Sequence, residues 1–143
     1  MIRFLFLLFL LPMAWGQGIE TFSHSNLLEN YSDGNFPGET PDVTIHYYHC
    51  RNAGEYSISG EGIMLRRNDS NPHPSRIEIH IPHGVGELSF QYRKAFTGAN
   101  NRILSVSANH QEVFLSPIFG LGSGEDPTIY TQTLAIHQPG NVI

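Results

Sequence analysis

Apolar and polar residues alternate with a period of two in short runs along most of this chain, and each run is bounded by Gly, Pro, Asn or Asp. Val43, Ile45 and Tyr47 interleave with Thr44, His46 and Tyr48; Ile77, Ile79 and Ile81 with Glu78 and His80; Leu88, Phe90 and Tyr92 with Ser89 and Gln91. Successive side chains of a strand point to opposite faces, so each run predicts a strand with one buried face. Further strands are predicted near 19–22, 55–59, 62–67, 102–108, 111–116 and 128–136. Turn signals separate them at Asp33-Gly34, Asn71-Pro72, Thr97-Gly98 and Gly120-Leu121-Gly122, and the stretch from Gly120 to Pro127 reads as a flexible loop. Nothing after residue 16 sustains the 3.6-residue spacing of an amphipathic helix, so helical crossovers between parallel strands are not expected. About nine short strands at this spacing predict an all-β, antiparallel β-sandwich of jelly-roll type.

The N-terminus follows a different pattern. Arg3 precedes the apolar run Phe4–Leu11, and Pro12 breaks that run ahead of Ala14-Trp15-Gly16. This is the layout of a cleavable signal peptide over residues 1–16, with the cut between Gly16 and Gln17. The run is too short to span a bilayer, which takes about 20 apolar residues. The chain is therefore expected to be secreted or displayed at the cell surface, with residues 17–143 as one module and no membrane span in the mature protein. Removing the leader takes away Arg3 and the sole tryptophan, Trp15, and leaves seven Lys and Arg against thirteen Asp and Glu. An acidic balance argues against general attraction to nucleic-acid phosphates. A sugar site on this chain must use Tyr or Phe rather than indole as its platform.

Candidate chemistry is sparse. Cys50 is the only cysteine, so the module forms no internal disulfide, and an unpaired Cys in an apolar strand reads as a small buried hydrophobe. Eight histidines invite a metal reading, with His46-x-x-His49 and His80-x-x-His83 as the pairs, but residues three apart on a regular strand face opposite ways. The Gly-x-Ser-x-Gly elbow of a serine hydrolase is missing, and the acids are scattered near turns, so catalysis by this chain is not expected. The stronger constellation is basic and aromatic. Arg66 and Arg67 end one predicted strand, Tyr92, Arg93 and Lys94 end another, and Arg102 begins the next, which gathers five of the seven mature basic residues. Brought together, Arg66, Tyr92, Arg93, Lys94 and Arg102 would suit a polysaccharide or another anionic polymer.

Three segments resemble a known family: Ile19-Glu20-Thr21-Phe22, Tyr31-Ser32-Asp33-Gly34-Asn35-Phe36 and Gly62-Ile63-Met64-Leu65-Arg66. The most specific match runs from Gly84 to Gly98. They are similar to a β-sandwich module of secreted multi-domain proteins from Bacteroidetes-type bacteria, a carbohydrate-binding-like jelly roll that accompanies extracellular nucleases and other hydrolases. The resemblance covers residues 19–143 and implies a non-catalytic accessory module that binds carbohydrate, or alternatively a structural N-terminal module of such a hydrolase. It also implies a further strand pair beyond Ile143, and a structural calcium held by Glu20 with a late Asp.

Overall fold

The computed structural model of the chain describes residues 18–67 and 74–143. The signal segment and the Asn71-Pro72 turn lie outside the described residues.

Among the described residues eight strands follow one another: β1 Ser32–Pro37, β2 Thr44–Asn52, β3 Ile63–Leu65, β4 Arg76–His80, β5 Val85–Arg93, β6 Ser105–Ala108, β7 Gln111–Leu115 and β8 Ile129–Gln138. Every pairing is antiparallel, as expected of strands joined by short connections. The helical content of the described residues is one 3-10 turn, Gly54–Tyr56, and no helix there is long and apolar enough to cross a membrane. The all-β antiparallel reading of the sequence therefore holds. The pairings among the described residues form one four-stranded sheet and two two-stranded sheets.

In the four-stranded sheet β2 is central, with β1 along one edge and β3 and β4 end to end along the other. Its inner face packs Phe36, Val43, Ile45, Tyr47 and Cys50 against Leu27, with Phe22, Ile77, Ile79 and Ile81 around them. Ile45 and Cys50 are wholly buried, and each large apolar side chain so placed contributes about 1.5–3 kcal/mol. A second cluster forms where the β6–β7 hairpin meets the β5–β8 ribbon. Tyr92 stacks on Tyr130 at 5.2 Å, and Phe119 and Phe114 meet Tyr92 and Phe90 edge-on at 5.0 and 6.0 Å. The alternation read in β2, β4 and β5 thus turns the expected residues inward.

Three local expectations are corrected. Asp33-Gly34 lies inside β1 and not in a turn, because two residues of β2, Tyr48 and His49, stand opposite the single residue Asp33. The His49 amide loses its ladder partner at this bulge and donates to Asp33 Oδ1 at 2.7 Å. Gly34 leaves room for the Tyr47 ring, whose hydroxyl donates to Asn26 Oδ1 at 3.1 Å. Residues 19–22 form no strand: Ile19 is exposed and Phe22 has a φ of 61°, which an extended ladder cannot accommodate. Residues 55–59 hold the end of the 3-10 turn and a bend, since Tyr56 and Ser57 bond back to the carbonyls of Ala53 and Gly54.

A Cβ at Gly34 would sit 2.7 Å from Cζ of the buried Tyr47. Gly34→Ala should therefore cost about 1–3 kcal/mol of stability, as overpacking does elsewhere. Urea unfolding with an unchanged midpoint would contradict this reading of the bulge.

Candidate functional site

The basic residues singled out from the sequence divide into structural cations and exposed ones. Lys94 follows the last residue of β5 and is 3% exposed. Its ammonium donates to the carbonyl of Gly124 at 2.9 Å and, over a shorter distance, to that of Gly122. The Gly124 amide donates in turn to Thr97 O at 2.8 Å. The glycine-rich stretch is thus pinned to the end of β5, where the sequence alone read a flexible loop. Gly120 has a φ of 62° and lies against the Lys94 stem, where an added Cβ would come within 2.9 Å of Cδ. Arg102 serves the same purpose from below. Its two terminal nitrogens donate to the carbonyls of Asn100, Gly120, Ala95 and Gly98 at 2.8–3.2 Å, tying two loops together. Tyr92 packs its ring on Tyr130 and Phe119 in the aromatic cluster and is not among the residues that line the cleft described next.

Arg93 and Lys94 line one side of a cleft of about 200 Å3, completed by Glu55, Tyr56, Phe96, Thr97, Glu125 and Asp126. Arg93 Nε is shielded from solvent and has no hydrogen-bond partner. Lys94 has three N–H donors and spends two of them on carbonyls. The Tyr56 and Phe96 rings face each other at 4.9 Å and 57°. Burial, then the neighbouring Glu55 carboxylate, pushes the Tyr56 phenol up. Asp126 is held below the ordinary carboxylate range, chiefly by hydrogen bonds from Thr128 and less by the charges of Lys94 and Arg93. Phe96 is 45% exposed and has a φ of 62°, a conformation that costs a residue with a Cβ about 1–2 kcal/mol.

Arg66 does not join Arg93 and Lys94 directly. Its guanidinium lies 5.7 Å from the Tyr31 ring centre, and Arg51 approaches the same ring at 5.8 Å. Arg51 also lies 5.9 Å from the Phe96 ring, so rings and guanidiniums alternate from Arg66 through Tyr31 and Arg51 to Phe96 and the cleft. The Tyr31 hydroxyl contacts Met64 Sδ at 3.6 Å, which anchors the ring. Tyr31, Arg51, Tyr56 and Phe96 were not singled out as site residues in the sequence. The sequence marked Thr97-Gly98 only as a turn and Gly120 to Pro127 only as a loop.

Glu20 sits elsewhere, as half of a reciprocal clasp. Its carboxylate accepts the amides of Phe22 at 3.0 Å and Glu39 at 2.8 Å, so both oxygens already hold backbone hydrogens. Glu39 accepts in return from the amides and hydroxyls of Thr21 and Ser23. The histidine pairs do not close on themselves: His49 lies 3.9 Å from Asp33, His83 lies 3.6 Å from Asp42, and the His46 ring faces His80 at 4.6 Å. Among the described residues no three His, Cys, Asp or Glu side chains converge as a metal site. Cys50 is buried against the carbonyls of Tyr48 and Arg76, and burial pushes its thiol up, away from the thiolate a nucleophile needs.

Comparison of the chain with protein families, with characterised proteins and with solved structures gives no match.

Two outcomes are expected. Replacing Lys94 by Met leaves the carbonyls of Gly122 and Gly124 without their donor, so hydrogen exchange at the Gly124 amide should accelerate while β2 amides keep their protection. Unchanged exchange at Gly124 would show that the loop holds without the ammonium. The hydroxyls of Thr21 and Ser23 bring the Glu39 carboxyl from 4.5 down to about 2. A depressed folded-state value stabilises fully above the unfolded one, so the contribution is present above about pH 4.5 and lost as pH falls toward about 2. Glu39→Gln should therefore flatten the decline of melting temperature across that window; a decline as steep as in the parent would show that other groups control it.

Proposed function

We propose that the chain is a non-catalytic carbohydrate-binding module, exported by its N-terminal leader, and that it takes its ligand at the Tyr56–Phe96 cleft. The observation that carries this reading is Phe96, an exposed aromatic residue held in a strained conformation beside a second ring and a cleft lined with both donors and acceptors. Strain of this kind persists where surrounding structure enforces it, and it concentrates at binding sites. A saccharide offers an apolar ring face and hydroxyls that both donate and accept. Ring faces at Tyr56 and Phe96 suit the first; the carboxylates of Glu55, Glu125 and Asp126 together with the N–H groups of Arg93 and Lys94 suit the second. The lining sets three carboxylates against two cations, a mixture of acceptors and donors that suits a polyhydroxylated ligand. The buried, protonated Cys50 and the structural use of Lys94 fit a module that holds its ligand without transforming it.

The test is a glycan array followed by calorimetry on the full chain. Phe96→Gly relieves the positive φ and should leave stability within about 1 kcal/mol of the parent, because Gly adopts that conformation freely. The same variant should lose binding to every glycan retained on the array. Retained binding by Phe96→Gly, or an array with no bound glycan, would overturn the cleft as a carbohydrate site.

A further inference from the structure

We infer that the cleft is one end of a longer site, and that its ligand is an acidic polysaccharide whose carboxylates lie along Arg51 and Arg66. This rests on the cleft reading and specifies the class of sugar chain. The cleft taken alone has no preference for anions, since Glu55, Glu125 and Asp126 offset Arg93 and Lys94. Beyond Phe96 the balance changes. Arg51 and Arg66 present two guanidiniums around the one Tyr31 ring. Arg51 commits Nε to the carbonyl of Asn52 at 3.3 Å, and the remaining polar contact of Arg66 is its backbone amide on Ser75. Both guanidiniums thus face a ring while their terminal N–H groups hold no hydrogen bond to a described residue. A planar guanidinium in that setting retains the paired donors that match a carboxylate bidentately.

Three features place this row with the cleft and distinguish it from an isolated charged edge. Phe96 belongs to both, lining the cleft and lying under Arg51. The left-handed backbone at Phe96 accompanies a ring that meets Tyr56 on one side and Arg51 on the other. Tyr31 is fixed by Met64, so the arginines rest on a positioned surface. A chain whose neutral ring stacks in the cleft carries its next units over Arg51 and Arg66, and uronate carboxylates supply the anion there. Alternating rings and arginines also suit a single-stranded nucleic acid. The acidic lining of the cleft and the negative charge of the chain disfavour a phosphate at every unit.

The experiment compares a hyaluronan oligosaccharide, in which neutral and uronate units alternate, with its methyl ester, the same sugar with the charge removed, and uses a neutral glycan retained on the array as reference. The native chain should prefer the free acid, and that preference should shrink as salt is raised. Arg66→Gln, at an exposed position, should reduce the preference by about fivefold, the scale of an exposed charge pair, and Arg51→Gln should reduce it further. Equal binding of acid and ester by the native chain overturns the inference and leaves the cleft reading intact if the neutral glycan still binds. Loss of all glycan binding overturns both. A single-stranded DNA homopolymer that binds more tightly than the hyaluronan oligosaccharide, with the same dependence on Arg66, also overturns the assignment to polysaccharide. Should either variant fold poorly, the salt dependence of the native chain on acid and ester decides between the same outcomes.

Discussion

The two-against-one bulge in β2 is the constraint on which the rest of the structure depends. β2 is the strand that pairs with three others, so its phase decides what faces the core and what faces away. Side chains of a regular strand alternate, and Ile45, Tyr47, His49 and Arg51 would then share one face. The extra residue opposite Asp33 shifts the phase, so that Ile45, Tyr47 and Cys50 are the buried residues. Arg51 is thereby turned off the core face toward Tyr31 and Phe96. The left-handed backbone of His49, with a φ of 53°, is held by the Asp33 carboxylate on its amide. One hydrogen bond thus links the packing of the core to the placement of an arginine on the opposite side of the sheet.

The second organising device is cationic. Lys94 and Arg102 gather six loop carbonyls that no sheet partner satisfies. Burying an ammonium costs several kcal/mol unless its donors are met, and here the carbonyls meet two of the three donors of Lys94. The loops around the cleft therefore keep their shape without a hydrophobic core of their own. Arg93 and Lys94 both line the same small cleft, and Arg93 Nε is buried there without a hydrogen-bond partner.

Local alternation was sufficient to read β2, β4, β5 and β8, because the period of two depends only on neighbouring residues. It was insufficient for β1. Asp and Gly favour a tight turn, but the same pair serves a bulge in which the carboxylate takes a cross-strand amide and the missing Cβ admits a ring. Residues 19–22 carried strand-like composition, yet the carboxylates of Glu20 and Glu39 claim the amides there, and their partners lie up to 19 positions away. Arg66, Arg93, Lys94 and Arg102 were legible as a group of charges. Their roles were not: two hold loops together, one borders the cleft, and one rests on a tyrosine ring.

By itself the sequence determined the class of the fold, the antiparallel pairing and the face of most strands, since these follow from short-range patterning of apolar residues. Only the tertiary structure decided which cations would be buried as carbonyl donors and which would remain at the surface. It also decided that Tyr56 and Phe96, forty positions apart, would pack ring against ring. The physical reason is that a charge or a ring has no preferred role until the carbonyls, carboxylates and other rings around it are in place, and those arrive from strands and loops distant in the chain.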